Sequence, residues 1–135
     1  MAIAVDTTAA NVKPLEGAKV RRYIAGSAIS PGHPVCMSSD GYIDSADSDA
    51  LVTNTVVGIA LPPRNQAAAF AAGDAVDVVV WGPVQCVTGG TPGAYAYTGG
   101  TAGDINESAG SKSLIIGFVE SATVVFVRPI PITLT

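Results

Sequence analysis

The residue types able to do chemistry are few in this chain, and they are scattered. The one histidine, His33, lies in the turn Pro31-Gly32-His33-Pro34. A serine-histidine-aspartate relay needs such a base, and a zinc site needs ligand partners at set spacings. No Cys-x-x-Cys pair is present, and His33 reads as an exposed turn residue. Cys36 and Cys86 lie far apart, a spacing open to two buried thiols or to a disulfide. Asp40, Asp44, Asp47 and Asp49 form an acidic stretch able in principle to hold calcium. They lack the EF-hand spacing and its closing glutamate, so a solvated loop is expected. Asp74, Asp77 and Glu120 are carboxylates in or beside predicted strands, and nothing in their spacing pairs them for acid–base work. Gly89-Gly90 and Gly99-Gly100 are not followed by the Gly-Lys-Ser/Thr of a phosphate-binding loop. Trp81, Tyr95 and Tyr97 could anchor a partner or stack on a sugar, or close a core. The expectation is no enzyme, no cofactor and no metal.

The elements that would position these groups are short strands. The chain has 135 residues, enough for one domain, and is 48% hydrophobic but only 13% charged. Disorder and coiled coil both demand more charge than this. The longest apolar run, Ala67–Ala72, is far too short to span a bilayer. A net charge of −4 with only seven Lys and Arg argues against nucleic acid as a partner. The opening residues lack the basic and apolar regions of a secretory signal. Fifteen Gly and nine Pro punctuate β-branched runs, which predicts a turn-rich all-β fold with an uncharged surface suited to contact with other proteins.

Strands are predicted at Lys19–Ile24, Val35–Met37, Tyr42–Ile43, Val56–Leu61, Asp74–Trp81, Val84–Val87, Tyr95–Tyr97, Leu114–Glu120 and Thr123–Val127, the last two as a tight hairpin. Residues 64–72 could form a short helix ended by Gly73. Residues 1–17 read as an extended N-terminal arm, 18–129 as the β domain and 130–135 as a tail. The expected architecture is a small all-β barrel or sandwich.

Two stretches share an order of parts. Pro31-Gly32, a strand, Gly41 and Val57-Gly58-Ile59-Ala60 are echoed by Pro92-Gly93, a strand, Gly103 and Ile116-Gly117-Phe118-Val119. The echo, about residues 26–80 and 87–127, implies a doubled β unit in which neither half buries its own core.

With those motifs in order, the sequence resembles the bacteriophage capsid decoration (cement) proteins of the small β-tulip type. The resemblance rests on Ala25–Val35, Ser39–Ala46, Val57–Ala60, Ala71–Val78 with Gly82-Pro83-Val84, and Ile116–Ala122 with Val124–Pro129. It covers about residues 18–129 and leaves the 62–72 segment, the arm and the tail outside the pattern. It implies a β-tulip fold and a structural role on the outer surface of the virion, after synthesis in the host cytoplasm. The implied partners are the major capsid protein and the chain itself, as a homotrimer at three-fold or quasi-three-fold positions, with no nucleic acid and no membrane. A flexible arm would order on binding and clamp adjacent subunits. The contact residues implied are Val5, Val12, Lys13 and Leu15 of the arm, Arg21 and Arg22 facing an acidic patch, and Trp81. The alternative is a glycan- or host-binding β module of a phage fibre or spike, using the exposed rings.

Overall fold

The computed structural model describes residues 3–38, 40–46, 55–65, 69–99, 103–108 and 114–130. Among the described residues twelve strands follow in chain order: β1 (Ala4–Val5), β2 (Lys13–Pro14), β3 (Lys19–Ile24), β4 (Pro34–Met37), β5 (Ile43–Ser45), β6 (Thr55–Ala60), β7 (Ala75–Gln85), β8 (Val87–Thr88), β9 (Tyr95–Thr98), β10 (Ile105–Asn106), β11 (Ile115–Ser121) and β12 (Val124–Ile130). One 3-10 turn, Ala9–Asn11, is the sole helical element among the described residues.

The long strand β7 organises the fold. Residues 75–81 pair with β3 on one edge and β6 on the other, and residues 82–85 pair with β2 and β12. The change of partners falls at Gly82-Pro83. Gly82 has φ +108, and a Cβ there would lie 2.8 Å from the Ala18 Cα. A side chain is therefore excluded where the segment linking β2 to β3 crosses β7. The hydrogen-bonded path runs β10-β9-β11-β12-β7-β6-β4-β5 and reads alike from either end. Each of β4–β7 has a counterpart among β9–β12 at the mirrored place.

Close approach of backbones marks the same point in each half. A Cβ on Gly58 of β6 would lie 1.9 Å from the Val79 carbonyl oxygen, and one on Gly117 of β11 would lie 1.9 Å from that of Phe126. Each glycine faces a buried small residue on its other flank, Val35 and Ala96, beside a register shift in the ladder. The bulged strand bends there, which only a residue without a side chain permits.

Alternation sets the two cores. Cys36, Ile59 and Val79 from one half meet Ile116, Val119, Val125 and Val127 from the other in the larger cluster. Val35, Ala60, Val76 and Val78, on the opposite face of the first half, are covered by Ala25, Ile29 and Phe70. Strands buried on both faces explain why β6 and β7 read as continuous apolar runs.

Two expectations are corrected. The domain is not a closed barrel, and tulip-like closure goes with it: among the described residues β5 pairs with β4 and β10 with β9, leaving both ends of the path open. One backbone hydrogen bond, from the Gly103 N–H to the Ala46 carbonyl at 2.8 Å, links the segments beside β10 and β5, while the β7–β12 pair and the larger core join the two halves. The helix near 64–72 is absent from the described part of that segment. Arg64 and Asn65 form a turn, Phe70 exchanges two backbone hydrogen bonds with Ile29 at 2.8 and 3.1 Å, and residues 66–68 lie outside the described residues. Pro62-Pro63 and Gly73 leave too little chain for a stable helical nucleus, and Phe70 gains more by entering the core, where it is 6% exposed. The N-terminal segment is extended but laid on its own domain. β1 pairs with β8, β2 with the end of β7, and Ile3 and Val12 are core residues. Residues 131–135 of the tail, and Asp47 and Asp49 of the acidic stretch, lie outside the described residues.

Candidate functional site

The outer face of β7, β12, β11 and β9 carries a row of rings. Val125 and Val127 point into the core, so Phe126 between them points out. The hairpin register sets Phe118 opposite Phe126, and their rings stack at 5.1 Å. Trp81 meets Phe126 edge-on at 4.8 Å. On the far side Phe118 pairs in register with Tyr95, and buried Ala96 turns Tyr95 and Tyr97 to the same face, their rings 6.2 Å apart. Five of the eight aromatic residues in the chain thus lie in one row across four adjacent strands. The middle rings are half-buried by their neighbours, while Trp81 is 45% and Tyr95 57% exposed. Trp and Tyr with neighbouring rings for support offer large apolar area at little entropic cost.

A second feature lies along β3, whose Lys19, Val20, Arg21, Arg22 and Ile24 are all exposed. Arg22 Nε donates to Asp77 Oδ1 at 3.0 Å across the β3–β7 pair, and Arg64 reaches Asp77 Oδ2 at 3.7 Å. Arg21 lies 5.9 Å over the ring of Tyr23. An open cleft of about 460 Å³ adjoins Arg22 and Asp77, with Pro62, Pro63 and Phe70 as its apolar wall.

The sequence-predicted residues divide between surface and core. Val5 is half-buried opposite Val87, Val12 is 2% exposed in the core, and Lys13 is exposed opposite Gln85. Leu15 is half-buried and its N–H donates to the Pro83 carbonyl at 3.0 Å. Arg21, Arg22 and Trp81 are exposed, Trp81 facing Lys19 in register. Phe118 and Phe126 were not singled out, although the two-residue hairpin turn and the flanking valines determine both their pairing and their outward face.

The groups with chemical potential serve local structure. His33 is half-buried rather than an exposed turn residue: its Nδ1 lies 2.9 Å from Ser45 Oγ, and Gly103 packs against the ring. Burial pushes its pKa below the ordinary 6.5, against an opposing pull from Asp104. No hydrogen bond or ion pair joins Asp104 to the ring among the described residues, so Ser45 and His33 lack a bonded third member. Asp44 accepts hydroxyl bonds from Ser27 and Ser38, both at 2.6 Å, while Asp40 caps the Tyr42 N–H at 3.0 Å. Asp74 caps the Ala71 N–H at 2.8 Å, Asp77 holds the arginines, and Glu120 is exposed on β11. No group of three or more metal-ligating side chains occurs among the described residues. Cys36 and Cys86 are both buried thiols in the larger core, and burial pushes Cys86 far above the usual thiol range.

No protein-family model and no curated protein sequence matches the chain.

Proposed function

We propose that the protein is a capsid decoration protein that binds the outside of a phage shell and stabilises it by bridging adjacent major capsid protein subunits, as a trimer at three-fold or quasi-three-fold positions. The row Trp81–Phe126–Phe118–Tyr95–Tyr97 carries this reading, because an open sheet face with stacked, partly exposed rings has the make-up of a protein-binding hot spot. The ordered motifs that resemble decoration proteins support it, as does a surface that can be covered with little desolvation of charge.

The reading differs from the sequence-based one in the surface it uses. The N-terminal segment is committed to its own domain through Ile3 and Val12, so the rings take the place of a free arm as the principal contact. Burying the exposed part of Trp81, on the order of 100 Å², contributes roughly 2–3 kcal/mol of binding at about 25 cal/mol per Å². Co-sedimentation with expanded capsids tests this. The wild type should pellet with the shells, and Trp81→Ala with Tyr95→Ala should stay folded and remain in the supernatant. The same rings also suit sugar stacking, so a glycan array with hits that vanish in that double variant, and no capsid binding, would instead establish the fibre or spike module.

A further inference from the structure

The open edge of β3 is a second surface with its own chemistry. We infer that β3 is a receptor for an extended acidic segment of a partner protein, which adds to the sheet as a strand with a glutamate or aspartate opposite Arg22.

β3 pairs with β7 along one edge, and among the described residues its other edge carries no strand. Residues 19–24 make no backbone hydrogen bond outside that ladder among those described. An edge six residues long leaves a row of amide and carbonyl groups able to accept a further strand. Charge on an edge ordinarily discourages such pairing, but the discouragement depends on sign. Lys19, Arg21 and Arg22 would repel the β3 of a second copy and attract an acidic strand.

The side chains define what that strand must carry. Val20, Arg22 and Ile24 share one face, with Val20 45% and Ile24 40% exposed on either side of Arg22. Arg22 is held by its Nε to Asp77 and makes no other ion pair among the described residues, which leaves its terminal nitrogens available to a second carboxylate. Arg64, which follows β6 on the other side of β7, meets the second oxygen of Asp77 at 3.7 Å, so the Asp77 charge is shared between two arginines rather than borne by Arg22 alone. The matching strand is apolar–x–acidic–x–apolar on that face. On the opposite face it meets Arg21, which also favours an acidic or polar residue.

The test is fluorescence anisotropy with a short labelled peptide alternating Val and Thr, with one Glu at the centre of its Val face. The Glu peptide should bind, weaken as salt is raised, and lose at least about tenfold in affinity when Glu becomes Lys. Arg22→Glu should reverse that preference, and Arg22→Ala should abolish it while keeping the wild-type circular dichroism. N-methylation of alternate peptide amides should remove binding if the segment joins as a strand. Equal affinity for the Glu and Lys peptides, absence of binding by either, or indifference to N-methylation would overturn the inference. The assay contains no capsid, so its failure leaves the decoration reading standing.

Discussion

Replacing Gly58 or Gly117 by alanine probes the doubled architecture at its tightest points. The added methyl carbon would lie 1.9 Å from a carbonyl oxygen of the neighbouring strand in both cases, against 3.4 Å for an ordinary contact. The strands must therefore separate by about 1.5 Å locally. Nothing flexible can yield at Gly58, where the next neighbours are the Val79 carbonyl carbon at 2.8 Å and Val78 Cγ1 at 3.0 Å. Opening the ladder forfeits one or two hydrogen bonds at roughly 0.5–1.5 kcal/mol each, and the overpacking adds about 1–3 kcal/mol. A loss of about 2–4 kcal/mol follows at each site, or roughly 6–16 °C in Tm for a domain of this size. Gly17→Ala is the control. It has φ +93 and no atom within 4 Å of an added Cβ, so it should cost only the backbone penalty of about 1–2 kcal/mol. Thermal and urea unfolding, followed by circular dichroism and by Trp81 fluorescence, would measure all three. A shift below about 2 °C at either Gly58 or Gly117, or a larger loss at Gly17, would refute the close-approach argument.

The other outcomes follow from burial. Val12→Ala should lower unfolding stability by about 1.5–2.5 kcal/mol in urea titration, since Val12 is 2% exposed; a free arm would leave stability unchanged. His33 has a folded pKa below its unfolded 6.5, so the unfolded chain takes up the proton first. Stability from this group is therefore full above about pH 6.5 and is lost as pH falls below it, a slope that His33→Gln should flatten in Tm scans from about pH 7 to 5.5. Cys36 and Cys86 should resist an aromatic disulfide reagent while the protein is folded and both react once urea unfolds it, because both are buried and the Cys86 thiol is strongly disfavoured as thiolate.

Strand positions were legible wherever β-branched residues alternated or ran together between Gly and Pro, as at Val124–Val127 and Ala75–Val80. What failed to read was the closure of the sheet. Barrel or open path depends on whether β5 and β10 meet, a long-range question that periodicity does not encode. The 64–72 segment misled because its alanines have helical propensity, whereas Phe70 is fixed by its bridge to Ile29, far away in sequence. The pairing of the N-terminal segment was hidden for a similar reason. Its polar residues hide single apolar ones, and Ile3 and Val12 are placed by contacts with the distant β7–β12 region. Three of the five rings of the aromatic site, Trp81, Tyr95 and Tyr97, were visible. The stacked pair Phe118 and Phe126 required the hairpin register, which the two-residue turn supplies.

The central claim is that the aromatic face seats on a capsid shell. An electron cryomicroscopy reconstruction of expanded capsids, with and without the protein, tests it most directly. The claim requires added density on the outer surface at three-fold or quasi-three-fold positions, with Trp81 and Tyr95 at the contact and the density lost in the Trp81→Ala, Tyr95→Ala variant. Shells that stay bare, or density that persists with that variant, would contradict it.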